Sequence, residues 1–191
     1  MAIDSERVRR AVLELLEAIG DDPTREGLGE TPRRVAEAYG EFFAGVGADP
    51  TEHLNDTLDV GDDTGDLVLL RDIEFRSMCE HHLLPFSGVA HVAYLPDERI
   101  VGLGRLPAVV ATIAARPQIQ ERLTEEVADA LERGLAPKGV LVVIDATHGC
   151  VAARGSRQSR SSTVTMASRG VLADPLQRAE IMALIGERSV R

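Results

Sequence analysis

The spacing of apolar residues changes three times along this chain, and each change restricts what it can fold into. Residues 5–19 carry Val8, Ala11, Val12, Leu15, Leu16 and Ile19, the stripe of an amphipathic helix. A turn follows at 20–27. Thr31-Pro32 then supplies an N-cap with proline at the first helical position, and Val35, Tyr39, Phe42 and Phe43 keep helical spacing until Gly45. Residues 49–66 are acidic, contain Gly and hold no Lys or Arg, which reads as an exposed connector. From Leu67 to Met78 the period is two, with Ile73, Phe75 and Ser77 alternating against Glu74 and Arg76. Val89–Leu95 is a second strand and Ile100–Leu103 a short third. Helical spacing returns over Leu106–Ala115 and breaks at Arg116-Pro117. It resumes with Ile119, Leu123, Val127, Leu131 and Leu135. Gly139–Ala146 and residues 162–172 are strand-like, and Asp174-Pro175 caps a last helix to about Ile185. Helices, strands, helices, strands in that order predict an α+β fold with an antiparallel sheet. The chain divides into a helical part (1–48), a connector (49–66) and a second unit (67–191).

Composition narrows the possibilities. The chain has 191 residues, one domain with a small helical extension, and buries enough surface to fold without disulfides. Aromatics are 3% with no Trp, so the core must be Val, Leu, Ile and Ala. The net charge of -10 argues against a nucleic-acid partner. The N-terminal residues lack an apolar signal core, and no run of about 18 apolar residues occurs, so the sequence reads as soluble and cytoplasmic, with no membrane partner. In a reducing compartment its two cysteines, Cys79 and Cys150, suggest metal or catalysis before a disulfide.

Reactive side chains concentrate just past two strands. Cys79-Glu80-His81-His82 follows the strand ending near Met78, and His148 and Cys150 follow the strand 140–146. Thiolate and imidazole are preferred zinc ligands, and Cys79 and His82 are spaced so that one turn presents two donors. Cys150 adds a third. Two Cys and one His leave the fourth tetrahedral position open, the catalytic arrangement, and water held there has its pKa lowered to about 7. His81 and His148 would then be available to move protons, giving a hydrolase that acts on an electrophilic carbon. Buried free thiols, a disulfide and ordinary loop histidines are the competing readings. Two further groups stand out. Gln120 and Glu121 open a helix, as guests of its dipole or as a plain cap. Arg154, Arg157 and Arg160 follow Cys150, as an anion site or as an exposed basic loop.

Three segments then resemble one family. Ser77-Met78-Cys79-Glu80-His81-His82, Gln118-Ile119-Gln120-Glu121-Arg122-Leu123-Thr124 and His148-Gly149-Cys150-Val151-x-x-Arg154-Gly155 are similar to GTP cyclohydrolase I. Glu30-Thr31-Pro32-x-Arg34-Val35 and Val101-Gly102-Leu103 fit as well, so the resemblance runs from about residue 5 to 186 in family order. It implies hydrolysis of GTP at guanine C8, release of formate and closure to 7,8-dihydroneopterin triphosphate. It implies that Cys79, His82 and Cys150 hold zinc, that His81 and His148 are the acid/base pair, and that Glu121 with Gln120 reads the guanine edge. Arg34, Arg105 and Arg154 would face the triphosphate, Arg34 from another subunit; Arg157, in the basic group after Cys150, is added to them as a compensating cation. The implied fold is a tunnelling fold, a four-stranded antiparallel sheet with two helices on one face behind an N-terminal helical pair. The implied assembly is a homodecamer of two pentameric rings with sites at subunit interfaces.

The triphosphate end departs from the family pattern. Gly104 stands where the family usually has Ser, and Ala108 where it has Arg. A paralogue that takes a different guanine nucleotide, or stops at the ring-opened formamidopyrimidine, for a secondary pathway is the alternative. A non-catalytic member stapled by zinc is a third.

Overall fold

The computed structural model describes residues 3–60 and 66–186. The first two helices, α1 (Ser5–Ala18) and α2 (Thr31–Phe42), pack on each other through Val12, Leu16 and Ala36. Asp4 caps α1 by accepting the Arg7 N–H at 3.0 Å. Thr31 is itself helical, with Glu30 at the cap, one residue earlier than the sequence suggests. The second helix stops at Phe42. Gly45 lies beyond it, and only glycine fits there, since a Cβ would sit 1.9 Å from the Thr112 carbonyl oxygen.

Part of the acidic connector is not exposed. Pro50–Leu54 forms a 3-10 turn and β1 (Thr57–Asp59) a short strand. Leu54 is 1% exposed and packs under the later helices, and with the buried Pro50 it anchors an otherwise polar stretch. Residues 61–65 of that connector lie outside the described ones.

The body is a sheet of β2 (Val68–Cys79), β3 (Pro85–Leu95), β6 (Gly139–His148) and β7 (Thr163–Gly170), joined antiparallel in that order. Between them in the chain come β4 (Arg99–Val101), which pairs with β1, then α3 (Arg105–Ala114), β5 (Pro117–Gln118) and α4 (Gln120–Leu135). The two-residue β5 runs parallel to the end of β2 and extends the edge. A single-turn α5 (Gly149–Ala152) and a final α6 (Pro175–Gly186) complete the chain. This is the α+β arrangement expected, with four antiparallel strands carrying α3 and α4 on one face.

Period two explains which residues meet those helices. Phe86, Ala90, Val92 and Tyr94 of β3 and Val140, Val142 and Ile144 of β6 face Leu106, Val109, Val110 and Ile113 of α3 and Leu123, Val127 and Leu131 of α4. The opposite face carries Ala93, Leu141 and Val143, and α6 covers part of it with Ile181. In β2 the pairing register shifts between Leu70 and Ile73, and Asp72 has φ 58. Leu70 and Ile73, three apart, therefore share the helical face where an unbroken strand would oppose them. No helix among the described residues is long and apolar enough to cross a membrane.

Leu131 is fully buried in this core. Leu131→Ala is expected to cost about 3 kcal/mol, the transfer term plus the cavity left behind. At this chain length that lowers Tm by roughly 6–12 °C, which a thermal melt reads directly.

His91 in β3 is 8% exposed, and its Nδ1 accepts the Asp72 N–H at 3.2 Å. Burial pushes its pKa below the ordinary 6.5, Arg71 adds to this, and Asp72 and Asp145 oppose it. The unfolded chain therefore takes up the proton more readily than the folded one. The His91 contribution to stability is complete above pH 6.5 and is lost as pH falls below it. His91→Gln should flatten the decline of unfolding free energy between about pH 7 and pH 5, measured by urea melts across that range.

Candidate active site

The sheet brings the two reactive clusters together. β2 ends at Cys79 and β6 at His148, and β3 lies between them, pairing with both. Register sets Phe86 opposite His148 and Met78 opposite Pro85. A tight turn after Cys79 returns the chain to β3. In it the Cys79 N–H donates to the Leu84 carbonyl at 2.9 Å and the Leu83 N–H to the Cys79 carbonyl at 2.8 Å. Leu83 closes the turn at φ 49, a conformation that branched side chains rarely adopt and that locates strain at the site. His82 is thereby carried back over Cys79.

On the other strand, α5 starts immediately after His148. Gly149 is required there, since a Cβ would lie 2.7 Å from the Pro85 carbonyl oxygen. The turn delivers Cys150 to the same place. The ligand atoms of Cys79, His82 and Cys150 all lie within 4.8 Å of one another, and both cysteines are free thiols. Burial pushes the Cys150 thiol up, the neighbouring Cys79 adds to this, and Arg154 opposes it. Zinc bonds of 2.0–2.3 Å place tetrahedral donors roughly 3.3–3.8 Å apart, so the three atoms would draw in by about 1 Å around an ion. Two neighbouring thiols, with the Cys150 pKa pushed up, and one imidazole are a donor set that a soft dication suits, and coordination would reverse the penalty on the Cys150 thiolate. The residues fit a metal ion.

His81 and His148, two of the four other histidines, border this cluster. His148 stacks on Phe86, ring centroids 4.7 Å apart and planes within 5°. Burial pushes its pKa below the ordinary value, and the Glu121 carboxylate opposes that. Its Nε2 lies 2.7 Å from Gln120 Oε1. His81 is exposed, with Nε2 3.7 Å from Glu80 Oε1, while Glu80 Oε2 accepts from Arg122 at 2.6 Å.

The nucleotide-facing candidates are more dispersed. Glu121 is exposed in the first turn of α4, where its charge reaches His148. Gln120, by contrast, is 1% exposed, and its side chain is bonded within the protein. Arg154 acts on Cys150 from the loop after α5. Arg157 follows it with φ 50, its N–H on the Arg154 carbonyl. Arg105 opens α3, and one guanidinium nitrogen lies 3.3 Å from Asp56. Gly104 precedes it and gives that helix no side-chain cap. Arg34 is exposed on α2, in the N-terminal pair.

Sequence reasoning missed Phe86, Thr165 and the Glu80–Arg122 pair, since strand register and helix docking alone bring them to the site. A cavity of about 900 Å³ lies beside this region, between residues 46–50, β5 and α4. It includes none of the Cys and His cluster, so its size says nothing about the chemistry.

The chain matches the family model described as GTP cyclohydrolase I over residues 8–186. It is 57% identical over 183 residues to GTP cyclohydrolase 1 of Leifsonia xyli subsp. xyli, covering 96% of each chain. It is 51% identical over 184 residues to GTP cyclohydrolase 1 of Rhodopirellula baltica, covering 96% of this chain and 80% of that protein. Among solved structures, the archaeosine synthase QueF-Like in the apo form matches with TM-score 0.44 at 15% identity, over 56% of this chain and 97% of that chain. With nearly its whole length matched, and with Cys79, His82 and Cys150 brought together by its two strand ends, the chain belongs to the GTP cyclohydrolase I family of enzymes.

Proposed function

We propose that this protein hydrolyses GTP at C8 of the guanine, releases that carbon as formate, and rearranges the remainder to 7,8-dihydroneopterin triphosphate. The observation that carries the reading is the convergence of Cys79, His82 and Cys150, with His148 held at its border. These three residues would hold Zn²⁺, which when bound supplies Lewis acidity and water that ionises near neutral pH. Around it, His81 and His148 move protons to and from the opening imidazole ring and then the ribose. Glu121 accepts the two N–H donors of the guanine edge, which adenine lacks. Arg105, Arg154 and Arg157 take the triphosphate, and Arg34 of a second copy completes it.

Assembly into a homodecamer belongs to the same reading. The strand β7 ends one side of the sheet and exposes Val164 and Met166, an apolar edge that another copy would cover. Two free cysteines suit the reducing cytoplasm, where GTP is made.

Zinc-loaded protein incubated with GTP should yield formate and the dihydropterin triphosphate together, identified by mass spectrometry. Formate with only a ring-opened nucleotide would refute the cyclisation, and no turnover would refute the substrate. Gly104 and the Arg105–Asp56 contact support one variant of the reading, a site less committed to the triphosphate. GDP and GMP assayed beside GTP decide it, since a strong preference for GTP would rule it out.

A further inference from the structure

Which atom donates between His148 and Gln120 follows from the rest of the glutamine. Its amide nitrogen lies 3.0 Å from the Ile144 carbonyl oxygen, 2.8 Å from that of Thr163 and 3.1 Å from Thr165 Oγ1. Carbonyl oxygens only accept, so the NH2 group must face them and Oε1 must face the imidazole. An amide oxygen only accepts in turn. His148 Nε2, 2.7 Å away, therefore carries the hydrogen, and in the neutral ring Nδ1 keeps its lone pair.

The surroundings hold this arrangement firmly. Gln120 is 1% exposed and opens α4. Thr124 Oγ1 ties its backbone carbonyl at 2.7 Å and meets Thr165 Oγ1 at 2.6 Å. Phe86 fixes the plane of the imidazole from its face while Gln120 fixes its edge. One buried side chain thus joins α4, β6, β7 and His148, with both of its polar atoms engaged inside the protein.

We propose that Gln120 is a positioning residue that reads no part of the guanine: it holds His148 as the Nε2–H tautomer and presents Nδ1 to the reacting atoms. The proposal rests on the reading of His148 as a proton-transfer group for GTP. A buried amide suits this task because its orientation is set by three acceptors on two strands, so the imidazole edge is set by the sheet. Glu121, the next residue, is left as the one group of this pair free to meet the base.

The test separates positioning from substrate reading. Gln120→Met keeps the volume and removes the hydrogen bonds. In zinc-loaded protein, kcat on GTP should fall about 10²-fold, the loss that misplacing a reacting group brings, with KM changed less than about threefold and zinc content unchanged. A rise in KM with kcat kept, or no loss in either, would overturn the proposal. The second measurement needs no variant. The ¹⁵N spectrum of histidine-labelled, zinc-loaded wild-type protein at pH 8, with His148→Gln to assign the signal, should show the hydrogen on Nε2. Hydrogen on Nδ1 would overturn the proposal even if the variant fails to fold. Should wild-type protein not turn over GTP at all, the proposed function fails, while the tautomer still decides the role of Gln120.

Discussion

Cys150→Ala is expected to lose both bound zinc and activity, by at least about 10³ in kcat, because the metal's share of the barrier is several kcal/mol. The effect is specific to the side chain. Cys150 is half-buried in a single turn at the sheet's end and packs against the core from outside it, so removing one sulfur leaves the sheet and its helices in place. Two measurements on one sample make the case: metal content by mass spectrometry after dialysis, and formate release from GTP. Thermal stability should change little. A variant that keeps stoichiometric zinc and full turnover would remove Cys150 from the donor set and leave only two ligands, too few for the proposed site. Cys79→Ala should give the same chemical loss but with a greater fall in Tm, since Cys79 is 7% exposed and part of the core.

Glu121→Ala is the second large effect. Its carboxylate is exposed at the start of α4, and guanine bound over it would exchange water for two N–H donors. Removing one partner of a charge-assisted, desolvated pair costs about 4 kcal/mol, so kcat/KM for GTP should fall about 10³-fold. The residue makes no core contact, so the melt should be unchanged and zinc retained. Inosine triphosphate provides the control. It lacks the exocyclic amine, so wild-type protein should discriminate against it and the variant should do so much less. Equal discrimination in both would place guanine reading elsewhere. Gln120 and Glu121 are neighbours with opposite fates, one buried and bonded to four protein groups, the other exposed.

Most of the helices and strands were legible because their periods are unambiguous. The four-residue spacing from Leu123 to Leu135 is the buried stripe of α4, and the alternation of Ile73, Phe75 and Ser77 is the buried face of β2. Of the short elements, the strand at Arg99–Val101 was legible and two others were not. Pro117–Gln118 became a strand only because β2 offered an open edge, and Pro50–Leu54 packed because Leu54 met α3 and α4. Neither carries a local pattern. The bulge before Ile73 was equally hidden, since it shows only as a change of face between Leu70 and Ile73.

The site divides in the same way. Residue chemistry put Cys79, His82 and Cys150 forward as metal donors beside the readings of free thiols, a disulfide and loop histidines, and the matching segments pointed to the family. Their convergence within 4.8 Å was decided by the sheet, which sets β2 and β6 on either side of β3. The burial of Gln120 and the exposure of Glu121 were likewise decided only in three dimensions. Adjacent helix positions lie about 100° apart, so one turns into the core while the next faces solvent. The local sequence determined which donors and carboxylates this protein has. The strand pairing determined which of them meet, because that depends on partners distant in the chain.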